Sequence, residues 1–385
     1  MAQGIILLNI TCVSFFLLAF IAFFNPLRVN VIANRWFALF MFAAGSAVLD
    51  VIIDKVGVSN QYRQLVAFNE LSRFAMMPAL YLSVLHYTSP DKVFKKREYL
   101  HLLPFFIFFI CAASFVVGQR ELLFNPEAIP AVIKMGFEII IKLSIPVQLV
   151  VYWLLAYRKL INHQQNIELV TSNTSPVNLN WLKLLLFGVL AMIVINLVDR
   201  IYANEFMVEY APLGYLVCIL FVAYFFIGQK EIYPYQESEL KSISEIINQK
   251  PKDVSIKQRF SENTLMQLKV RLIDLMENER VFLDNELGLP ELAQEMNISS
   301  HDLSYLLNEG FGVNFFQFIN SYRVEEAKQL MLSEKYRHLN ILGIAYNAGF
   351  NSKTTFNTAF KKETGLSPSQ FIQGAKADSS AEVTL

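Results

Sequence analysis

What most constrains this 385-residue chain is a change of preferred solvent partway along it. Up to Gly228, apolar stretches of near-bilayer length follow one another; from Gln229 onward the sequence is polar and charged. A helix needs about 20 apolar residues to cross the hydrocarbon of a bilayer. Charge divides at the same place: residues 1–228 hold 16 Lys/Arg against 12 Asp/Glu, and the remainder 17 against 21. Two halves of such different chemistry cannot share one core. The chain is therefore expected to be a lipid-embedded half joined to a water-soluble one.

Seven apolar segments are predicted as transmembrane helices, at 5–24, 36–53, 65–87, 102–117, 132–157, 181–198 and 213–227. The first has no basic leader and no small-residue cleavage site, so it reads as a mature helix and not a signal peptide. The third and fifth carry charge. With the N-terminus outside, the inner loops hold eight basic residues (Arg28, Arg35, Lys92, Lys95, Lys96, Arg97, Arg158, Lys159) and the outer loops four (Lys55, Arg63, Arg120, Arg200). Basic loops stay in the cytoplasm, and an odd number of spans then delivers the polar half there. Trp36, Trp153, Trp181 and Tyr210 fall near span ends, where amphipathic rings anchor at the interface.

Charges inside the spans come in close sets: Asp50 with Asp54, Glu70 with Arg73, Glu138 with Lys142, Asp199 with Arg200. A charge at mid-bilayer costs about 2.5–3.5 kcal/mol or more, so such groups pair or line a wet cavity. Ion pairs within one helix are one reading. A ligand pocket built from Glu70, Arg73 and Glu138 is the other, with Pro78, Pro104 and Pro146 as sources of kinks. Cys12, Cys111 and Cys218 are solitary and apolar in context, which implies no disulfide framework.

Residues 229–280 read as a polar linker containing two helices. Leu240, Ile243 and Ile247 mark a stripe on a short helix at 237–249, suited to pairing with its copy or docking on the domain downstream. Leu265, Leu268, Leu272, Leu275 and Met276 mark a lead-in helix at 264–282, either spacer or transmitter.

The region 281–376 carries the most specific pattern. Ile341, Ile344, Ala345 and Ala348 recur at helical spacing until Gly349 breaks the run, and Asn351 or Ser352 can cap a second helix with Phe356, Ala359 and Phe360 on one face. Thr354, Asn357, Thr358 and Lys361 fall opposite, with Lys353 at the N-terminal end. A polar, donor-rich face of this kind suits a helix in the major groove, with Lys361 and Lys362 against phosphate. Upstream, Pro290 opens a helix carrying Leu292, Ala293 and Met296, and Ser299 with Asp302 is expected to form a capping box before Leu303, Leu306 and Leu307. The units repeat: Ser299, Leu303, Leu307 and Gly312 recur 53 residues later as Ser352, Phe356, Phe360 and Gly365. A single helix over 315–332 is expected between them, with Phe316, Ile319, Tyr322 and Leu330 buried.

Ile344-Ala345, Gly349-Phe350, Ser352, Phe356, Phe360-Lys361-Lys362, Gly365 and Ser367-Pro368 resemble the second helix-turn-helix of AraC/XylS-type transcription regulators. The resemblance covers roughly 283–375; seven spans followed by this module is similar in architecture to membrane-bound bacterial regulators. It implies that His301, Ser304 and Tyr305 read bases in the first unit, and Lys353, Thr354, Asn357 and Thr358 in the second. It also implies successive major grooves about 34 Å apart. One departure is that residues 281–376 hold 8 Lys/Arg against 10 Asp/Glu. Phosphate neutralisation supplies much of such affinity, so one copy is expected to bind weakly and a homodimer on DNA to be required.

There is no phosphate-binding glycine loop, metal-spaced His/Cys set or nucleophile elbow, so no catalytic residue, metal or cofactor is expected. The expected fold is all-α: a seven-helix transmembrane bundle (1–228), a helical linker (229–280), a cytoplasmic double helix-turn-helix domain (281–376) and a flexible tail (377–385). The expected function is a one-component regulator in the bacterial inner membrane, its N-terminus outside. Its partners would be lipid, double-stranded DNA, RNA polymerase and an unknown small-molecule or membrane signal. The alternative is a membrane receptor or transport-like bundle whose cytoplasmic module binds a protein.

Overall fold

The computed structural model describes the backbone of residues 2–59, 61–90, 93–116, 131–202, 205–248 and 259–382. Side chains of 2–3, 63–64, 67, 111–116, 131–142, 196–202, 205–210, 248 and 376–382 lie outside that description, and with them Glu138, Lys142, Asp199, Arg200, Cys111 and Tyr210. The described residues are helical, without a strand. They divide into two compact units: residues 1–161 with 179–232, and residues 162–178 with 233–385.

Unit 1 contains α1 (Ala2–Phe24), α2 (Val31–Val56), α3 (Arg63–Thr88), α4 (Leu103–Val116), most of α5 (Ala131–Asn166), α6 (Asn180–Tyr202) and α7 (Glu205–Ile227). Each predicted apolar segment thus falls on a helix. By length and composition, however, two helices among the described residues, at Gly4–Phe24 and Val31–Val56, are long and apolar enough to cross a membrane, against the seven expected. Shorter apolar stretches are described at Asn180–Ile195 and Ala211–Ile227, and α3 and α5 carry charge.

α1 is apolar on every side. Leu8, Cys12, Phe15, Ala19 and Ala22 are buried against neighbouring helices, while Ile6, Ile10, Val13, Leu17, Phe20 and Phe24 form an exposed stripe at three- and four-residue spacing. The same stripe recurs at Leu143, Val147, Val150 and Leu154 of α5 and at Leu213, Val217, Leu220, Tyr224 and Ile227 of α7. Polar groups go inward and find partners. Thr11 Oγ1 donates to Leu7 O at 2.8 Å and to Pro212 O at 3.2 Å, Ser83 Oγ donates to Ala33 O at 3.0 Å, and the Tyr87 hydroxyl donates to Asn34 Oδ1.

Several sequence expectations change here. Arg73 reaches across to Asp50 on α2, whose carboxylate is the better shielded from water; attraction strengthens as water is excluded. Glu70, three residues before Arg73, is exposed. Trp181 is packed between Phe37 and Tyr87 and is not an interface anchor. Pro78 and Pro146 lie inside α3 and α5, but Pro104 sits in the first turn of α4, where no amide bond is lost; α7 contains Pro212 instead.

Unit 2 contains α8 (Glu237–Asn248), α9 (Glu262–Glu277), α10 (Leu289–Glu295), α11 (Ser300–Tyr305), α12 (Phe315–Leu332), α13 (Ile341–Asn347), α14 (Lys353–Thr364) and α15 (Pro368–Glu382). The linker helices belong to this unit. On α8 the buried stripe is Leu240, Ile243 and Ile246, with Ile247 half-buried, and the helix packs on α11. α9 ends five residues before the predicted 282, since Arg280 takes a left-handed φ of 54° and 281–283 turn as a short 3₁₀ segment. Its Leu272, Leu275 and Met276 are fully buried, so α9 is core and not spacer. Helix α15 continues to Glu382, through the start of the expected tail.

Two cores fill the unit. One joins α8, α9, α10 and α11 to the first half of α12; the other joins the second half of α12 to α13 and α14. The predicted connector is found at Phe315–Leu332, opened by an Asn314/Gln317 capping box. Phe316, Ile319 and Leu330 are buried as expected and Tyr322 is half-buried.

Candidate nucleic-acid interface

The second helix-turn-helix unit is built on the tight corner between α13 and α14. Asn340 caps α13, Ile344 and Ala345 are buried, and Gly349 turns the chain at φ 88°. Ser352 then caps α14 by accepting from the Thr355 amide at 3.4 Å. Phe356, Ala359 and Phe360 fill the core, with Phe350–Phe356 and Phe356–Phe360 ring centroids 5.1 and 5.5 Å apart, edge to face. That packing fixes the rotation of α14. Lys353, Thr354, Asn357, Thr358, Lys361 and Lys362 are all exposed in consequence.

The first unit repeats the design with different content. Ser299 and Ser352 are both N-caps, Leu303/Phe356 and Leu307/Phe360 are both buried, and Gly312 and Gly365 both end the helix left-handed, at φ 70° and 74°. The expected Ser299/Asp302 capping box is only half made. Ser299 Oγ accepts from the Asp302 amide, but Asp302 Oδ2 accepts from the Ser299 hydroxyl at 2.7 Å and Oδ1 from Arg259 Nε at 2.7 Å. After Tyr305 the helix widens into a π turn over Leu306–Phe311.

His301, Ser304 and Tyr305 are half-buried, whereas Lys353, Thr354, Asn357 and Thr358 of the second unit are exposed. Arg259 donates to His301 Nδ1, and the Phe260 ring meets Tyr305 edge-on at 5.7 Å. Nothing in the periodicity signals this cover, because residues 259–260 contribute to no stripe.

Arg323 of α12 was also invisible as a special residue, since it is one more basic side chain on an amphipathic helix. It is fully buried. Its Nε donates to Phe282 O at 2.7 Å, Nη2 to Asp284 O at 2.6 Å and Nη1 to Asn320 Oδ1 at 3.4 Å, and its guanidinium lies over the Phe350 ring. Burial pushes its pKa down to about 10, with Asp284 opposing, so it remains charged at neutral pH. The residue thereby ties the segment before the first helix-turn-helix unit to the ring at the corner of the second.

Residues 292–374 match a family model described as a helix-turn-helix domain. The arabinose operon regulatory protein of Salmonella typhimurium is 29% identical over 93 residues, 24% of this chain and 32% of that protein. The Escherichia coli K12 protein of the same name is also 29% identical, over 31% of its length. An uncharacterized HTH-type transcriptional regulator of Staphylococcus aureus strain COL is 36% identical over 86 residues, 22% of this chain and 11% of that protein. The C-terminal domain of the two-component response regulator yesN from Fusobacterium nucleatum is 27% identical, covering 29% of this chain and 98% of that domain, with a TM-score of 0.24. The chain therefore spans about a third of the arabinose regulators it matches and far less of the staphylococcal one. Unit 2 thus contains a stretch similar to a helix-turn-helix domain, and the relatives it matches are transcription regulators, not enzymes.

Proposed function

We propose that this protein is a one-component transcription regulator of the bacterial inner membrane, with unit 1 in lipid and unit 2 reading promoter DNA in the cytoplasm. The observation that carries the DNA reading is the duplicated serine-capped, glycine-ended helix, whose second copy turns six polar side chains to solvent from one rigid face. In this reading Lys353, Thr354, Asn357 and Thr358 meet base edges, Lys361 and Lys362 meet phosphate, and His301, Ser304 and Tyr305 read the adjacent groove once Arg259 yields.

The membrane reading rests on the exposed apolar stripes of α1, α5 and α7. Three exposed hydrophobic faces on one unit are far more than a water-soluble surface carries, whereas lipid covers them at no cost. In this reading all seven helices lie in the bilayer. The acidic balance of 281–376 favours a homodimer on DNA, which then engages RNA polymerase.

Gel-shift titration of the full chain in nanodiscs over a range of salt tests the assignment of Lys361 and Lys362. Replacing both by alanine is expected to weaken binding evenly across sequences and to flatten the log–log salt slope by about 2, about 1 per phosphate contact. An unchanged slope contradicts the phosphate role.

A further inference from the structure

Residues 162–178, which connect α5 to α6, belong to unit 2 although the helices they join belong to unit 1. The chain thus passes between units three times, at 161/162, 178/179 and 232/233, and the linker at 233 is one passage among three.

The segment is built into the first core. Ile167, Val170 and Ser172 are buried, and Leu169 packs with Leu289, Leu307 and Phe315. Val170 O accepts the Leu289 amide at 2.8 Å, Ser172 Oγ donates to Leu287 O at 2.7 Å, and Asn320 Nδ2 donates to Ser172 O at 3.0 Å. The first of these has a specific role. Leu289 is the first residue of α10, and its cap position is Gly288, which has no side chain to offer the orphan amides of a helix start. The strap supplies that acceptor from a distant part of the chain. At its base the three passages meet on one imidazole: His163 Nε2 donates to Val177 O at 2.9 Å, and Nδ1 accepts from the Tyr233 hydroxyl at 3.2 Å.

We infer that residues 167–173 are an intramolecular docking strand for the first helix-turn-helix unit, holding it noncovalently to α5 and α6. The connectivity has two consequences. Movement of α5 against α6 pulls on the start of α10, which supports the first reader, without passing through the polar linker. A single cut in that linker does not release the DNA-binding unit.

The test uses the full chain, tagged at its N-terminus, with a protease site inserted between the exposed residues Gln236 and Glu237. After cleavage, the fragment from Glu237 onward is expected to stay on the tagged fragment through gel filtration. Ser172→Arg, which drives a charge into a fully buried position, is expected to release it. Equal release with and without Ser172→Arg, or equal retention, overturns the inference. Because that variant can also unfold the unit, thiol labelling of the uncut chain, with its native cysteines replaced by serine, gives an independent reading. Ser172→Cys is expected to react on the order of tenfold or more slowly than Pro176→Cys at the exposed turn of the same segment. Equal rates overturn the docking. Neither measurement involves DNA, so both stand apart from the proposed function.

Discussion

Replacing Gly349 by alanine is expected to cost unit 2 about 3 kcal/mol. Two effects add. A φ of 88° is one that residues with a Cβ rarely adopt. The added Cβ would also stand 2.6 Å from Phe282 O and 3.0 Å from Leu283 Cα, which are backbone atoms with no rotamer by which to retreat. Those atoms belong to the segment that Arg323 holds in place, so the clash reaches the first core as well as the corner. Hydrogen exchange of the α13 and α14 amides in the full chain should accelerate about a hundredfold, the equivalent of that energy. Unchanged exchange would mean that the corner is not packed as described.

Arg323→Ala is expected to be at least as damaging, at about 3–5 kcal/mol. Its three donors are charge-assisted at neutral pH, and without them the Phe282 carbonyl loses its donor inside the protein while Asp284 O keeps only the Leu287 amide at 3.3 Å. A cavity under the Phe350 ring adds to the loss. Urea titration of the full chain followed by helical circular dichroism should show the transition of unit 2 at markedly lower urea. Because Gly349 and Arg323 both bear on Phe282 O, the double variant should lose less than the two losses added together. Strict additivity would separate the two sites.

These residues show what local sequence can and cannot carry. The bounds of α12, the serine caps at 299 and 352, and the glycine corner are legible because each depends on residues within a few positions: periodicity, a side-chain oxygen before a helix, a residue without a Cβ. The exposed face of α14 is legible for the same reason, since Phe356 and Phe360 fix it. Arg323, Asp50 with Arg73, and the cover of Arg259 and Phe260 over the first reader are not, because their partners are distant in the chain. The strap at 162–178 is the extreme case. Its polar, small-residue sequence is that of any loop, and only the unsatisfied start of α10, capped by a glycine, hints that a partner must come from elsewhere. In unit 1 the apolar segments fell on helices because hydropathy is a local property of the sequence.

If a lipid-anchored chain presents two groove-reading helices to one face of DNA, selection from random duplexes by the full chain in nanodiscs should reveal both. The enriched sequences should contain two conserved blocks centred about 10–10.5 base pairs apart, and Lys353→Ala with Asn357→Ala should erase one block while sparing the other. Recovery of a single block, of no preferred sequence, or of both blocks undiminished in the double variant would contradict it.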